Sequence, residues 1–287
     1  NLLRLNNLPE GVDGVYADWR DMLQVTDFDL VSIATPNSSH ASLGIAMLEQ
    51  GLNVLVEKPI GPSLEDVKRL LGAAEVSTGL LYSGYLLHHH SGFQYAKDLI
   101  QSQQLGKIKS IRYTKYASRK KPEKANVIQN FASHAFSIIP DLLENKQSPL
   151  FTAATLLENH KPAPLVLADQ AKLHLSYSAK EQFHAVDVEI HVGWGQENMS
   201  KLTIEGSKEN IRIHFQRHES IEKGTHRSGY TWVQTPHSNP PLEQQYRSIL
   251  ANPSLNNKDI STHLRTASLL DKATSLEQKW YQKNAEN

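Results

Sequence analysis

The first third of the chain alternates short apolar runs with longer amphipathic segments. Runs rich in apolar and β-branched residues predict strands at residues 29–35, 52–56 and 80–82. Between these runs, apolar residues recur at helical spacing over residues 40–50 and 64–74. Strands that alternate with helices pack as a parallel sheet with right-handed crossovers, so this part of the chain predicts an α/β domain.

Residues that favour helix ends lie beside these segments. Asn37 or Ser38 follows the first predicted strand and is expected to cap the helix that begins near His40. Gly51 follows the end of that helix, where a glycine commonly adopts the left-handed conformation. Ser63 stands before the second helix and is predicted to cap it.

The pattern changes after residue 86. Alternating apolar and polar positions predict successive antiparallel strands with one face packed on helices, at residues 165–177, 183–194, 201–205 and 210–215. A further strand is predicted at residues 108–116, and helices at 93–101, 131–143, 242–250 and 261–276. We therefore divide the chain into a first domain of residues 1–86 and a second, α+β domain of residues 87–287 with a large, mostly antiparallel sheet.

The composition excludes several classes of function. Among 287 residues, 30 Lys and Arg balance 30 Asp and Glu, so no general affinity for nucleic acid or an anionic membrane is expected. The sequence contains no cysteine, which excludes disulfides, thiolate catalysis and cysteine-bound metals. No apolar run approaches the length of a membrane span. A cytoplasmic location is the expectation that follows.

A lysine at the end of the second predicted strand is the first candidate for chemistry. Lys58 comes directly after that strand, and open α/β sheets bind ligands at the carboxyl ends of their strands. A lysine partly shielded from water has a lowered pKa, and its neutral amine acts as a base toward a hydroxyl group. The alternative is an ordinary surface lysine at a strand end.

A second candidate pair is Asn130 and His134. Their spacing of four residues places both on one face of the predicted helix, so both side chains are expected to point into the same cleft. A histidine titrates near neutral pH, which makes His134 an acid–base partner for Lys58. The alternative for His134 is a structural histidine within a helix.

Several short motifs resemble one known family when they are taken together. They occur in that family's order over nearly the whole chain: Ile33-Ala34-Thr35-Pro36-Asn37, His40, Glu57-Lys58-Pro59, Gly84-Tyr85-Leu86-Leu87, Leu105-Gly106-Lys107-Ile108, residues 130–134, His191-Val192-Gly193-Trp194 and Leu202-Thr203-Ile204-Glu205-Gly206. The chain resembles the glucose–fructose oxidoreductase / inositol dehydrogenase / MocA (Gfo/Idh/MocA) family of nicotinamide-dependent oxidoreductases. From Gly84 onward it most resembles a subgroup associated with sugars and sugar nucleotides.

The resemblance implies a fold, a cofactor and a set of site residues. It implies a Rossmann-type domain, NAD or NADP as the cofactor, a ligand cleft between the domains, and a cis Lys58-Pro59 bond. The implied catalytic residues are Lys58, His134 and Asn130. The implied cofactor contacts are Thr35, Pro36, Asn37, His40, Glu57, Lys58 and Pro59, and the implied substrate contacts are Tyr85, His88, His90, Asn130 and His134.

Some positions depart from the family pattern. Asn130 stands where the family commonly has an aspartate, and an amide keeps only a hydrogen-bonding role toward a substrate hydroxyl. His88 stands where the family often has an arginine. The run His88-His89-His90 is not expected to bind a metal, because consecutive side chains do not converge on one ion; lining the cleft is the preferred interpretation.

The glycine-rich turn of such a domain is absent from the sequence. Gly11, Gly14 and Gly44 do not form a G-x-G-x-x-G fingerprint, and no strand end that reads the adenosine ribose is present. A first βαβ unit of roughly 30 residues or more is missing by this comparison. We interpret the chain as a fragment or a degenerate copy of a dehydrogenase, and the sequence does not choose between NAD and NADP.

The sequence thus predicts a dehydrogenase that transfers a hydride between a nicotinamide and a hydroxyl group of a sugar, sugar nucleotide or cyclitol. Two alternatives remain open. One is an NAD-dependent glycosidase that oxidises its substrate transiently, and the other is a ligand-sensing or regulatory relative without turnover. The chain is expected to form a homo-oligomer through its antiparallel sheet.

Overall fold

The chain folds around two sheets. In the computed structural model the described residues are 10–12, 14–24, 28–123, 125–144, 148–178, 185–236, 239–251 and 260–284. Within these ranges, a three-stranded parallel sheet is followed along the chain by a nine-stranded mixed sheet. The predicted architecture, a parallel α/β domain followed by an α+β domain with a mostly antiparallel sheet, is therefore confirmed.

The first sheet contains three short parallel strands, β1 (Val31–Ile33), β2 (Val54–Glu57) and β3 (Leu81–Gly84). The helices are a short α1 (Trp19–Met22) before the sheet, and α2 (His40–Leu48) and α3 (Leu64–Val76) between the strands. The register aligns Ile33 with Val56, and Glu57 with Gly84. The carboxyl ends of all three strands therefore meet at one edge of the sheet.

The predicted helix ends are confirmed in two of three cases. Ser63 Oγ accepts a hydrogen bond from the backbone N–H of Asp66 at 3.1 Å, and Gly51 has a φ of +75°. The prediction that Asn37 or Ser38 caps α2 is wrong. A 3₁₀ turn over Asn37–Ser39 leads into α2, and no side chain accepts a hydrogen bond from its first turn.

The second sheet has β4 (Ile108–Ala117) near its centre, between β8 (Val186–Trp194) and β9 (Met199–Gly206). β4 pairs with β8 in parallel, whereas the other neighbours are antiparallel. The remaining strands are β5 (Leu150–Glu158), β6 (Lys161–Pro162), β7 (Gln170–Tyr177), β8 (Val186–Trp194), β9 (Met199–Gly206), β10 (Asn210–His214), β11 (Ser220–Thr225) and β12 (Gly229–Gln234).

Sequence pattern located the central strands of this sheet but missed β5, β6, β11 and β12. β5 and β12 contain no fully buried residue, so they lack the alternation of buried and exposed positions that marks a half-buried strand. The prediction of a strand from residue 165 is wrong for residues 165–169. These form a turn, because the amides of Leu167 and Ala168 both donate to the Pro164 carbonyl. Residues 183–184 of another predicted strand lie outside the described residues.

Helices cover one face of the second sheet. They are α4 (Ser91–Gln101), a π-helical turn (Ile128–Ala132) that runs into α5 (Ser133–Leu142), and part of α7 (Ile260–Asn284). Phe93 and Phe136 from the helices pack with Ile111 and Trp194 from the strands in one large apolar core. Burial of this face supplies most of the driving force for folding this part of the chain.

The two C-terminal helices also contact the first sheet. Ile249 of α6 (Pro241–Ala251) packs against Leu55 and Tyr82 on one face of the sheet. Ala267 of α7 packs in the core on the other face, with α2 and α3. The domain boundary at residue 86 stays a prediction, since α6 and α7 contact both parts. Among the described residues, no helix combines the length and the apolar character needed to cross a membrane.

Candidate active site

The carboxyl ends of β1 and β2 form one wall of a cleft of about 330 Å³. Residues of the π-helical turn form part of the opposite wall, so both domains contribute to it. The lining contains all seven residues that the resemblance assigned to the cofactor, and three others: Thr35, Pro36, Asn37, His40, Glu57, Lys58 and Pro59, with Ala34, Gln129 and Asn130. The fold therefore brings the predicted cofactor set together in one place.

The Lys58 side chain reaches from the end of β2 to the second domain. Its Nζ donates a hydrogen bond to the carbonyl oxygen of Asn130 at 2.8 Å. Burial lowers the pKa of Lys58 to about 8; the Glu57 carboxylate opposes this shift and the Lys115 ammonium adds to it. An amine with a pKa near 8 exchanges protons readily around neutral pH, which suits a general base or acid.

Glu57 supports the backbone beside Lys58. Its Oε2 accepts a hydrogen bond from the backbone N–H of Lys58 at 3.1 Å. The same carboxyl group lies against Gly84, where an added Cβ would stand 2.8 Å from Oε2. Any larger residue at position 84 would therefore displace Glu57. The Lys58–Pro59 peptide bond is cis, as predicted.

His40 joins the segments that follow β1 and β2. Its Nδ1 lies 2.8 Å from the carbonyl oxygen of Pro59, and its Nε2 lies 2.7 Å from that of Thr35. Carbonyl oxygens only accept hydrogen bonds, so a neutral imidazole with one N–H donates to one of them at a time. The buried ring thus has a clear structural role in holding the two strand ends side by side.

Asn37 leaves an unused acceptor beside the cleft. Its Oδ1 is buried and has no hydrogen-bond partner among the described residues. A buried acceptor without a donor is costly, and a ribose hydroxyl or a carboxamide N–H of a ligand would satisfy it. Thr35 Oγ1 and Ser39 Oγ lie 2.8 Å apart and shape the same loop.

The π-helical turn changes the predicted relation between Asn130 and His134. The turn winds more widely than an α-helix, so a spacing of four residues no longer keeps two side chains on one face. Asn130 lines the cleft, whereas His134 is not among the lining residues. The Asn130 side chain turns back, and its Nδ2 donates to the Asn126 carbonyl at 2.9 Å. What Asn130 presents to Lys58 is its backbone carbonyl.

His134 is half-buried and lies close to several positive charges. Burial lowers its pKa well below the ordinary value, and the charges of Lys58, Lys115 and His88 lower it further. Its Nδ1 is buried and has no hydrogen-bond partner in the described part of the chain. His134 is therefore a neutral imidazole at physiological pH, with one ring nitrogen unused.

Lys115 is a charged neighbour of the site that the sequence reasoning missed. It lies on β4, and its charge lowers the pKa of both Lys58 and His134. The available signal was its place in the strand: Ile111 and Tyr113 precede it at alternate positions, and both are buried in the core. A lysine that continues such an apolar alternation is unusual, because lysine is rarely buried.

The other predicted substrate contacts diverge from this cleft. Tyr85 and His88 line a separate, smaller cavity, where the Tyr85 ring stacks on His263 with centroids 5.9 Å apart. His90 is fully buried, and its Nδ1 accepts a hydrogen bond from the Gly92 amide at 3.1 Å. His90 therefore caps α4 rather than lining the Lys58 cleft.

His88 also forms part of a charged group with α5. Its Nδ1 lies 3.4 Å from Asp141 Oδ2, and Lys97 Nζ lies 3.0 Å from the same oxygen. Burial alone would raise the pKa of Asp141, but the hydrogen bonds and charges of His88 and Lys97 outweigh it and lower the pKa to about 2. Across the described ranges, no three His, Cys, Asp or Glu residues are grouped so as to hold a metal ion.

A dinucleotide-type α/β domain joined to a sheet-rich second domain, with a lysine in the cleft between them, is the architecture of a class of oxidoreductases. Residues 8–85 match the model of the Gfo/Idh/MocA family, described as an oxidoreductase family with an NAD-binding Rossmann fold. The first part of the chain is thus similar to this family, as its motifs predicted.

Two curated relatives and one solved structure illustrate the similarity. The 1-carboxy-3-chloro-3,4-dihydroxycyclo hexa-1,5-diene dehydrogenase of Comamonas testosteroni is 27% identical over 199 residues, which are 64% of this chain and 49% of that protein. The levoglucosan dehydrogenase of Pseudarthrobacter phenanthrenivorans is 30% identical over 104 residues, 36% of this chain and 27% of that protein. The matches thus span half or less of these relatives.

The structural similarity extends much further along the chain. A solved structure of levoglucosan dehydrogenase in complex with NADH and levoglucosan has a TM-score of 0.72 at 17% identity. The superposition covers 93% of this chain and 83% of that one. At this level of identity, the similarity establishes a shared fold over both domains.

Proposed function

We propose that the protein is an NAD(P)-dependent dehydrogenase that acts on a secondary hydroxyl group of a sugar, sugar nucleotide or cyclitol. The observation that carries this proposal is the place of Lys58: its Nζ lies between the two domains, 2.8 Å from the Asn130 carbonyl. Its pKa of about 8 suits proton exchange with an alcohol near neutral pH. The similarity to an NAD-binding oxidoreductase family supplies the expected hydride acceptor.

Oxidation of an alcohol removes a hydride from carbon and a proton from oxygen. A bound nicotinamide supplies the acceptor for the hydride, or the donor in the reverse direction. Neutral Lys58 takes the hydroxyl proton on Nζ, and the electron pair of the broken O–H bond forms the second carbon–oxygen bond. In the reverse direction, protonated Lys58 returns this proton to the alkoxide oxygen.

The neighbouring residues would hold the two ligands. The residues after β1 and β2 (Thr35, Pro36, Asn37, His40, Glu57 and Pro59) would contact the nicotinamide and its ribose, with the unused Oδ1 of Asn37 accepting a hydrogen bond. Neutral His134 would bond a substrate hydroxyl through its unused Nδ1. Burial first, and the neighbouring cations next, keep this imidazole from taking a proton, so Lys58 is the proton acceptor.

The substrate class follows from the relatives, which are named for a carboxylated cyclic diol and for an anhydrosugar.

The test measures nicotinamide reduction at 340 nm, a wavelength set by the cofactor, with NAD and with NADP, over a panel of sugars and cyclitols. Lys58→Met is expected to lower turnover by about 10²- to 10⁴-fold, a typical loss for a general base. Cofactor affinity should stay within a few-fold. Unchanged turnover in this variant would remove Lys58 from the mechanism.

A second candidate is a ligand-sensing relative of the same fold. The observation that favours it is the Asn130 side chain, which bonds to the Asn126 carbonyl instead of facing Lys58 with a group that can exchange protons. Cofactor and sugar binding without any reduction would support sensing. Release of an aglycone without net reduction would instead support a glycosidase.

We also propose that copies of the chain associate through the open face of the nine-stranded sheet. Helices cover the other face, whereas Arg112, Glu189 and His191 lie half-exposed or exposed on the central strands of the open face. Light scattering coupled to size-exclusion chromatography measures the mass. A monomer at every concentration would contradict self-association.

A further inference from the structure

A lysine interrupts the apolar face of β4. Side chains alternate along a strand, so Ile111, Tyr113 and Lys115 all point to the face that the helices cover. Ile111 and Tyr113 are almost completely buried there, and Lys115 is half-buried. An apolar residue would fill this position more favourably unless the ammonium group has a function.

The packing places Lys115 in the strand pair that contacts the π-helical turn. Lys115 pairs with Val192 of β8, and two residues further along β8 the Trp194 ring contacts the Phe131 ring with centroids 4.7 Å apart. Phe131 follows Asn130, whose carbonyl oxygen accepts the hydrogen bond from Lys58. The two lysines thus approach the same π-helical turn from different domains.

The charges in this region do not balance. Among the described residues, no carboxylate forms an ion pair with Lys58 or Lys115, and the Glu57 carboxylate accepts from the backbone of Lys58. Each ammonium group lies where burial disfavours its charge, and the Lys115 charge further disfavours that of Lys58. Cations held near each other in a partly dry site are stabilised when an anion binds between them.

We propose that the Lys115 ammonium binds an acidic substituent of the substrate, a carboxylate or a phosphate, while Lys58 takes the proton from the reacting hydroxyl. This inference rests on the proposed dehydrogenase function and narrows its substrate to acidic sugars or cyclitols. The division of roles follows from position: Lys58 stands at the end of β2 beside the predicted nicotinamide contacts, and Lys115 stands on β4 of the second sheet, outside the lining of that cleft.

Isothermal titration calorimetry of the 287-residue chain tests the proposal with four probes: D-glucuronate, D-glucose 6-phosphate, D-glucose and myo-inositol. The first two probes distinguish a carboxylate from a phosphate, and the last two are neutral. Lys115→Met is expected to weaken binding of the acidic probe by roughly ten- to a hundredfold, the range for a lost hydrogen bond to a charged group. Binding of neutral probes should change less than about threefold.

Two further variants separate charge from packing. Lys115→Arg keeps the positive charge and should retain most of the affinity for the acidic probe. Lys109→Met removes an exposed lysine from the other end of β4 and should leave all affinities unchanged. An equal loss for acidic and neutral probes in Lys115→Met would overturn the proposal, as would a wild-type chain that binds neither acidic probe.

Turnover distinguishes this inference from the function on which it rests. Nicotinamide reduction with neutral sugars, without a preference for acidic ones, would overturn the role of Lys115 and leave the dehydrogenase assignment standing. Acidic probes that bind through Lys115 but are never oxidised with either cofactor would overturn the dehydrogenase assignment and support the anion site.

Discussion

The Nζ atom of Lys58 donates a hydrogen bond to the carbonyl oxygen of Asn130, 72 residues further along the chain, at 2.8 Å. This bond joins the end of a parallel strand in the first domain to a π-helical turn in the second. It fixes the amine in the cleft in which the proposed reaction would take place. A carbonyl acceptor stabilises the protonated amine without supplying a competing base.

The lowered pKa of Lys58 predicts the pH dependence of the reaction. Oxidation requires the neutral amine, so kcat/KM for the alcohol should rise with pH through about 8 and then level off. Reduction requires the ammonium form, so its kcat/KM should be level below about 8 and fall above it. Stopped-flow or steady-state rates from pH 6 to 10 measure both profiles. A flat profile in both directions would contradict the role of Lys58.

The same pKa predicts an effect of Lys58 on stability. The folded chain holds this proton less tightly than the unfolded chain, whose lysine pKa is 10.5. Between pH 8 and 10.5 the unfolded state therefore binds more protons, and the free energy of unfolding should rise with pH. Lys58→Met should remove this rise and stabilise the fold at pH 7 by about 1–3 kcal/mol, after loss of one hydrogen bond.

Urea denaturation at pH 7 and at pH 10 measures this contribution. Lys68→Met is the matched control. Lys68 is exposed on α3, and this variant still contains Lys58. The control should retain the rise between the two pH values. If Lys58→Met instead lowered the stability at pH 7 by several kcal/mol, the interpretation of a destabilised ammonium group would be wrong.

His134 should remain neutral well below the pH at which histidines ordinarily titrate. Its pKa is lowered by burial first and by the charges of Lys58, Lys115 and His88 next. Its imidazole ¹⁵N chemical shifts should therefore stay constant from pH 8 down to 5.5. The unfolded chain binds this proton below 6.5, so the fold loses stability as pH falls through that value.

A substitution tests whether His134 contacts the substrate. His134→Gln should lower turnover by about ten- to a hundredfold through loss of a hydrogen bond, and should reduce the acid sensitivity of the fold. His226→Gln is the control, because the His226 side chain is 69% exposed and lies far along the chain from the cleft residues. A His134 resonance that titrates near 6.5 would show that the ring is not shielded.

Asp141 should stabilise the fold except in strong acid. Its pKa lies at about 2 although burial acts to raise it, because His88 and Lys97 contact its carboxylate. The stabilisation is present above the ordinary value of 3.8 and is lost as pH falls through about 2. Asp141→Asn should cost about 1–2 kcal/mol at pH 7, a figure reduced for partial exposure.

Thermal or urea unfolding of Asp141→Asn from pH 2 to 7 measures this contribution. The difference from the unmodified chain should shrink at the acid end, where both carry an uncharged group at position 141. Asp98→Asn is a matched control on α4, since no ion pair joins Asp98 to another described residue. An equal difference at every pH would mean that charge has no part in the effect.

Local pattern was sufficient for the elements with at least one buried face. The strands around residues 31–33, 54–57 and 81–84 and the central strands β8 to β10 carry apolar runs or strict alternation, which depend on nearest neighbours alone. β5 and β12 lie near the edges of the sheet with neither face fully buried, so their sequences carry no such signal. They form strands because they pair with neighbouring strands of the sheet.

The candidate site divides in the same way. Lys58 and the residues after β1 could be placed from sequence, because strand ends in a parallel sheet always meet at one edge. The approach of Lys115 to Lys58 could not, since it depends on β4 lying parallel to β8, which contacts the π-helical turn. The spacing of residues along the sequence also does not reveal that Tyr85, His88 and His90 lie away from the cleft.

Read from residue order alone, the chain specified two layered domains, their element types, and a lysine at a strand end. These properties follow from interactions within a few residues: helical or alternating burial, glycine conformation and the motif around Lys58. Which groups surround that lysine was decided by long-range packing. A π-helical turn in place of a regular helix, and a parallel strand pair, brought Asn130, His134 and Lys115 to it from distant positions.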